Sequence, residues 1–241
     1  MESPDHLVDH VGRWADVSIL AFDADDTLWH HERYFAGVQQ RVRDLLSSYV
    51  APRVLDERLL ATERRNLEVF GYGVKGFGLS LIETAIEVTD GAVSSADISA
   101  MLGLVRELMT HPIDLLPGVV EVLDLLHGTM PLAVVTKGDL FHQEAKLAAS
   151  GLADRFEHVA IVSEKDHRTY CGLFESWGVE PSTIAMVGNS IPSDVAPVLE
   201  AGARAAWVPS QHQWALDAAP VPPGVPVLES LLDLKLLLGL D

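Results

Sequence analysis

Three carboxylates and a hydroxyl lie within one short segment near the start of the chain: Asp23, Asp25, Asp26 and Thr27. They directly follow residues 18–22, an apolar run typical of a buried parallel strand. In open α/β sheets, ligands bind beyond the carboxyl ends of the strands. Clustered carboxylates repel one another unless a cation or a reaction makes use of them. The pattern predicts a nucleophile at Asp23, an acid/base partner at Asp25 and bound Mg²⁺.

Further polar residues follow three later predicted strands, at residues 131–136, 158–162 and 183–187: Thr136, Lys137, Gly138, Lys165, Asn189 and Asp194. Each has an ordinary structural explanation when taken alone. Thr136 could cap a helix, and Lys165 could be a solvated surface residue. Four polar groups in succession at one edge of a sheet are harder to explain in that way, so they indicate a single site.

The chemistry that suits these residue types is phosphoryl transfer. A phosphate monoester is an anion, and Mg²⁺ would offset its repulsion of a carboxylate. Asp23 would attack phosphorus to form an acyl phosphate, and Asp25 would protonate the leaving oxygen and later deprotonate a water. The like charges around Asp25 are expected to favour its protonated form.

The remaining groups are assigned to substrate and metal. Thr136, Lys137 and Gly138 are predicted to contact the phosphate oxygens, together with Thr27, and Lys165 would supply a fixed positive charge. Oxygen atoms suit Mg²⁺, so the predicted ligands are Asp23, Asp25, Asn189 and Asp194, directly or through water.

Residues 33–111 show helical periodicity only, and Pro52 is expected to end the first of their helices. Residues 71–78 contain four glycines ahead of a helix predicted from about residue 79. This segment is either a helix–helix connection that needs positive φ angles or a substrate-facing tip that carries Tyr72 and Lys75. A capping box at Ser94 and Asp97 predicts the start of another helix.

The rest of the chain, residues 1–32 and 112–241, alternates short apolar strands with helices. It includes a possible lead-in helix that carries Val8, Val11 and Trp14, and later helices from Pro192 and from Leu228. Such alternation predicts an α/β fold, a three-layer Rossmann-like parallel sheet. Residues 33–111 would form a small all-helical domain inserted after its first strand.

Composition narrows the class of partner. The 241 residues are 48% hydrophobic, enough for a full core, and the net charge of −18 argues against nucleic-acid and anionic-membrane surfaces. A phosphorylated small molecule remains possible because a local cation can reverse the potential at a site. Cys171 is the single cysteine, so no internal disulfide can form. No signal segment or membrane span is evident, which favours a cytoplasmic protein, and the oligomeric state is not readable from sequence.

The chain resembles the haloacid dehalogenase superfamily in the run Asp23-x-Asp25-x-Thr27, in Thr136 and Lys165, and in Gly188-Asn189 with Asp194. The resemblance implies that the helical insertion is a cap that closes over the site and selects substrates. It also implies phosphatase or phosphotransferase activity, since dehalogenases of this family lack the second aspartate.

Three positions depart from the family pattern. Asn189 stands where an aspartate is usual, so weaker Mg²⁺ binding is expected. Asp166 stands where proline is common, and Lys137 where a neutral polar residue is frequent.

The resulting expectation is a Mg²⁺-dependent phosphatase that acts on a small phosphorylated metabolite. A phosphotransferase or phosphomutase of the same family is the alternative within enzymes. A catalytically weakened binding protein is made conceivable by Asn189. A phospho-aspartyl receiver is disfavoured, because receivers have no helical insertion after the first strand.

Overall fold

The computed structural model describes residue 10, residues 12–212 and residues 214–240. The chain divides into two compact units. The core unit comprises the residues up to His30, Ile113–Lys137 and the residues from Glu144 onward; the helical unit comprises His31–Pro112 and Gly138–Gln143. Val8 and Val11 of the predicted lead-in helix lie outside the described residues, and Trp14 is a buried residue in a series of turns.

The strands are, in chain order, β1 Ile19–Phe22, β2 Leu132–Lys137, β3 His158–Val162, β4 Ile184–Gly188 and β5 Arg204–Trp207. The helices are, in chain order, α1 Glu32–Leu45, α2 Pro52–Phe70, α3 Val74–Val88, α4 Ser95–Met109, α5 Val119–Leu126, α6 Leu140–Ser150, α7 His167–Trp177, α8 Ala196–Glu200 and α9 Leu234–Leu238. A π-helical turn, Ile191–Val195, precedes α8.

The core unit is built on a parallel sheet with the strand order β3-β2-β1-β4-β5. The chain runs outward from β1 through β2 and β3, then returns to the other side of β1 for β4 and β5. The strand order therefore reverses between β1 and β4, where open α/β sheets form a ligand crevice. The predicted α/β, Rossmann-like fold class is confirmed.

Both faces of this sheet are covered, since successive side chains of a strand point to opposite faces. On β1, Leu20 and Phe22 join one apolar cluster, and Ile19 and Ala21 join the other. The first cluster includes side chains of α5 and α9, and the second includes side chains of α7 and α8. The sheet with helices on each face gives the three layers that the continuous apolar strands predict.

The helical unit packs α1–α4 around its own apolar core, which includes Phe35, Leu59, Phe77, Leu81 and Met101. Two expectations for this unit are wrong in detail. The first helix ends at Leu45, and Pro52 instead occupies the first turn of α2, where its missing N–H has no partner to lose.

The glycine-rich segment also differs from expectation. Helix α3 begins at Val74, so Gly76 and Gly78 lie inside the helix. A Cβ at Gly78 would lie 2.8 Å from Val105 Cγ2 of α4, which explains a glycine at a helix interior. The predicted cap of α4 is present, because the Ser94 hydroxyl accepts a hydrogen bond from the Asp97 N–H.

The two chain segments that join the units lie side by side within the core unit. The His30 N–H donates to Asp114 O at 3.0 Å, and the Leu116 N–H donates to Leu28 O at 3.0 Å. Trp29 between them is 1% exposed and bridges to Leu115 in antiparallel fashion. The insertion therefore leaves and re-enters the core at one place.

Among the described residues, no helix combines the length and the apolar character that crossing a bilayer requires.

Candidate active site

The turn after β1 fixes the first group of predicted site residues. The Asp23 N–H donates to Val187 O at 2.9 Å, which extends the pairing of β1 with β4 by one residue. The chain then turns sharply: the Leu28 N–H donates to Ala24 O at 2.8 Å, and Asp26 has a φ of 60°. A positive φ is uncommon for a residue other than glycine, though aspartate tolerates it better than most. Asp23 therefore lies at the reversal point of the sheet.

An ionic cluster of three buried side chains surrounds this point. The ammonium of Lys165, which follows β3, donates to Asp23 Oδ1 and lies 2.7 Å from Asp194 Oδ1. The Lys165 and Asp194 side chains are each only 1% exposed. Unpaired charges cannot be buried at such depth, so each member of the cluster depends on the others.

Burial and neighbouring charges shift the pKa values of Asp23 and Lys165. Burial raises the pKa of the Asp23 carboxyl to about 7, and the Asp194 charge adds to this effect while Lys165 opposes it. Burial opposes the charge on Lys165, but the two carboxylates outweigh it and raise the pKa of the ammonium above its ordinary value. The lysine is therefore a fixed cation, and Asp23 is poised to exchange a proton near neutral pH.

Asp194 is held by the π-helical turn after β4. Its Oδ2 accepts from the Ser190 N–H at 3.0 Å, while the Tyr170 hydroxyl, buried on α7, donates to Ser193 O at 2.9 Å. A Cβ at Gly188 would lie 2.4 Å from Asp194 Cγ, so only glycine leaves room for this carboxylate. Both oxygens of Asp194 are engaged, one by the Lys165 ammonium and the other by the Ser190 N–H, so the carboxylate is placed to orient Lys165.

The Asn189 amide and the backbone oxygen of Asp25 lie beside Oδ2 of Asp23. The terminal atom of the Asn189 amide nearest Asp23 lies 3.2 Å from Asp23 Oδ2 and 3.1 Å from the backbone oxygen of Asp25. If this atom is the nitrogen, it donates to both oxygens. If it is the oxygen, three acceptors face one another, an arrangement that needs a cation between them.

Magnesium fits this second arrangement. Adjacent oxygens bound to Mg²⁺ in octahedral geometry lie about 3.0 Å apart, close to the separations found here. The donors would be a carboxylate of Asp23, the amide of Asn189 and the backbone oxygen, not the carboxylate, of Asp25. Among the described residues, no group of three or more His, Cys, Asp or Glu side chains forms a metal site. The donors named above include only one such side chain, that of Asp23.

Thr27 is fully buried, and its hydroxyl donates to Asp23 Oδ2 at 3.2 Å. It was predicted to contact substrate. The hydrogen bond places Thr27 to orient the carboxylate of Asp23, and a contact with substrate stays a prediction.

The Asp25 carboxylate makes contacts that the sequence analysis missed. Its Oδ1 and Oδ2 lie 2.5 and 2.7 Å from Lys146 Nζ, and the Trp29 indole N–H donates to Oδ1 at 2.7 Å. An ammonium stabilises the ionised form of a carboxylate, which opposes the expectation that surrounding carboxylates keep Asp25 protonated. The available signal was weak: Lys146 lies one turn after Gln143 on the buried side of α6.

The other predicted substrate residues are distributed over both units. In the core unit, Thr136 is a buried residue of β2, and Lys137 Nζ donates to Ser193 Oγ at 2.9 Å. In the helical unit, Gly138 has a φ of 136°, a conformation that favours glycine. Also in the helical unit are Tyr72 and Lys75.

Lys75 forms an ion pair in the helical unit, where its Nζ lies 2.8 Å from Asp139 Oδ2. The Asp139 carboxyl pKa is lowered, first by this hydrogen bond. The structure thus brings together the side chains of five predicted site residues and the backbone oxygen of Asp25: Asp23, Thr27, Lys165, Asn189 and Asp194. The substrate contacts of Tyr72 and Lys75 stay predictions.

Sequence comparisons match this chain to known proteins. A family profile described as haloacid dehalogenase-like hydrolase matches residues 17–202. The pyrimidine 5'-nucleotidase YjjG of Escherichia coli K12 is 25% identical over 204 residues, which cover 80% of this chain and 87% of that protein.

Two solved structures resemble this chain over most of its length. A haloacid dehalogenase-like family hydrolase from Xanthomonas campestris is 38% identical with a TM-score of 0.78, covering 86% of this chain and 87% of that one. The 2-haloacid dehalogenase of Pseudomonas syringae pv. tomato DC3000 is 24% identical with a TM-score of 0.60, covering 92% and 98%. The second likeness is one of fold alone.

Proposed function

This chain belongs to the haloacid dehalogenase-like hydrolase family, and we propose that it is a Mg²⁺-dependent phosphatase of small phosphorylated metabolites. The observation that carries the proposal is the buried cluster of Asp23, Lys165 and Asp194 beside the Asn189 amide and the backbone oxygen of Asp25. One carboxylate oxygen of Asp23 faces the Lys165 ammonium, and the other lies beside the Asn189 amide and the Asp25 backbone oxygen. With the amide oxygen turned toward Asp23, these groups would form a set of oxygens that suits a divalent metal.

In the proposed reaction, a carboxylate oxygen of Asp23 attacks phosphorus and the bond to the ester oxygen breaks. Asp25, which pairs with the Lys146 ammonium in its ionised form, takes up a proton from solvent as substrate binds and gives it to the departing oxygen, so that an alcohol leaves and an aspartyl-phosphate remains. Asp25 then takes a proton from water, whose oxygen attacks phosphorus, releases inorganic phosphate and restores Asp23. Lys165 stays protonated throughout and stabilises the negative charge that develops on the phosphoryl oxygens.

Magnesium, bound by Asp23, Asn189 and the Asp25 backbone oxygen, would reduce the repulsion between the phosphate and the carboxylate. Thr27 keeps Asp23 oriented, and Asp194 keeps Lys165 in contact with it. Thr136, Lys137 and Gly138 are proposed to hold the phosphate oxygens.

The helical unit is proposed to act as a cap that selects the substrate, with Tyr72 and Lys75 among its contacts. The net charge of −18 favours a small phosphorylated molecule over a nucleic acid. Because the relative YjjG is described as a pyrimidine 5'-nucleotidase, pyrimidine nucleoside monophosphates are the first substrates to test.

The test is a screen of phosphorylated metabolites and p-nitrophenyl phosphate, with Mg²⁺ or with EDTA, for release of inorganic phosphate. We expect hydrolysis that requires Mg²⁺ and is abolished in Asp23→Asn. Hydrolysis that Asp23→Asn leaves intact, or halide release from 2-haloacids without phosphatase activity, would contradict the proposal.

A phosphotransferase of the same family is the second enzyme candidate. It is distinguished by adding a sugar acceptor: formation of a new phosphorylated sugar in place of free phosphate would favour transfer. A complete lack of turnover with retained Mg²⁺ binding would instead favour the catalytically weakened binding protein that Asn189 makes conceivable.

A further inference from the structure

The Lys146 side chain is a buried cation outside the cluster that the proposed reaction uses. It is 8% exposed, and its ammonium contacts both oxygens of Asp25, at 2.5 and 2.7 Å. Lysine is almost never buried to this extent unless it is paired. The pairing connects α6 to the turn after β1, residues that lie 121 positions apart in the chain.

Trp29 completes the arrangement. Its indole N–H donates to Asp25 Oδ1 at 2.7 Å, and its ring is 1% exposed. The Asp26 N–H donates to Trp29 O at 2.7 Å, so the backbone of the turn fixes this tryptophan as well. Oδ1 of Asp25 therefore accepts from both Lys146 and Trp29, and Oδ2 accepts from Lys146.

These contacts restrict the orientation of the Asp25 carboxylate, and the ammonium also places a positive charge beside it. A single ion pair leaves an aspartate free to rotate about its side-chain torsions, whereas three hydrogen bonds from two rigidly held donors select one orientation. Proton transfer depends on such orientation, and a displacement of about 1 Å can reduce a rate by roughly 100-fold.

We propose that Lys146 is a positioning residue that, together with Trp29, holds the Asp25 carboxylate in the orientation needed for proton transfer. The proposal rests on the acid/base role of Asp25 in the proposed function. Lys146 does not contact the phosphate in this scheme. A neutral residue that fills the same volume would remove the ammonium from both carboxylate oxygens and so weaken the restraint on their orientation.

A purely structural explanation is that Lys146 only compensates the charge of a partly buried carboxylate. That explanation predicts a loss of stability without a selective effect on catalysis. The positioning role predicts that kcat falls while KM stays nearly constant, because substrate binding does not use the acid/base group.

The experiment compares Lys146→Met and Lys146→Arg with Lys235→Met, which removes a half-buried lysine from an ion pair with Glu121 of the same unit. We expect Lys146→Met to lower kcat by about 10- to 100-fold with KM changed less than twofold. Arginine can bind both carboxylate oxygens at once, so Lys146→Arg is expected to recover most of the activity. The Lys235→Met control should behave as the parent protein does.

A second readout does not depend on catalysis. The indole ¹H–¹⁵N signal of Trp29, assigned with a Trp29→Phe variant, reports the hydrogen bond to Asp25. We expect this signal to shift in Lys146→Met and to return toward its original position in Lys146→Arg. A shifted signal in a protein with no phosphatase activity on any substrate would refute the proposed function while the positioning of Asp25 stands.

Two results would overturn the inference. One is a Lys146→Met protein whose Trp29 signal and kcat both match those of the parent. The other is a variant that loses kcat and KM together with thermal stability and is not recovered by arginine. If Lys146→Met does not fold, Lys146→Gln, which keeps an N–H donor but is shorter and uncharged, is measured against the same two outcomes.

Discussion

Replacing Asp23 by asparagine should change how protein stability depends on pH. In the folded protein, burial raises the pKa of this carboxyl from 3.8 to about 7. The folded state therefore binds the proton more tightly than the unfolded state does. The resulting stabilisation is fully present below about pH 4 and is lost as pH rises through about 7.

The size of the effect follows from the shift. A change in pKa from 3.8 to about 7 corresponds to at most about 4–5 kcal/mol, because each unit is worth about 1.4 kcal/mol. The figure is an upper bound because Lys165 and Asp194 respond together with Asp23. For a chain of 241 residues, this corresponds to a change in Tm of up to about 8–20 °C. The neutral amide of Asp23→Asn cannot titrate and should not show this loss.

The assay is thermal unfolding of both proteins in EDTA between pH 5 and pH 8.5. We expect the Tm of Asp23→Asn minus the Tm of the parent to increase steadily with pH, because all other titrating groups are shared. Adding Mg²⁺ should flatten the increase, since a cation favours the ionised carboxylate. Asp124→Asn, which changes an exposed carboxylate, is the control. A Tm difference that stays constant across this pH range would refute the reasoning.

Three further substitutions test the packing and charge of the molecule. Gly188→Ala places a Cβ 2.4 Å from Asp194 Cγ, so we expect phosphatase activity to fall by about 100-fold or more because Lys165 loses its partner's position. Asn189→Asp adds a charged oxygen ligand and should tighten Mg²⁺ binding, measured by calorimetry, by about 10-fold. Gly78→Ala forces a Cβ within 2.8 Å of Val105 Cγ2 and should destabilise the helical unit by about 1–3 kcal/mol, measured by denaturant unfolding.

The chain supplies matched controls for Gly188→Ala and Gly78→Ala. Gly172→Ala in α7 and Gly103→Ala in α4 each place the new methyl group where no atom lies within 4 Å. Gly172→Ala should leave activity unchanged, and Gly103→Ala should stabilise its helix by up to about 1 kcal/mol. Full activity in Gly188→Ala, equal stability in Gly78→Ala and Gly103→Ala, or an unaltered Mg²⁺ affinity in Asn189→Asp would each contradict the corresponding expectation.

The fold was predictable because buried parallel strands are short apolar runs that stand out in the sequence. The third strand was expected at residues 158–162 and is observed at His158–Val162. Helix ends were less predictable: the helix expected from Pro192 is a π-helical turn followed by α8, and the one expected from Leu228 begins as α9 at Leu234. The start of α3 was missed because Gly76 and Gly78 were interpreted as loop residues, although close packing accounts for Gly78.

The site residues that follow predicted strands could be predicted from the sequence. Asp23, Lys165 and Asp194 come from three strand ends, and a parallel sheet brings such ends to one edge. Lys146 was not predictable, because no pattern around a single lysine on a helix identifies its partner. The direction of the Asp25 side chain depends on the turn at Asp26, and only the folded backbone shows it.

The paired segments at His30–Asp114 and Leu28–Leu116 affect how the core can fold and evolve. The entropy of closing a loop rises only as the logarithm of its length, so a severalfold longer connection between β1 and β2 costs on the order of 1 kcal/mol. Because the two ends of the insertion are already hydrogen-bonded to each other within the core, its length and sequence can change with little penalty to the sheet. A long or much altered insertion is therefore compatible with an unchanged parallel sheet.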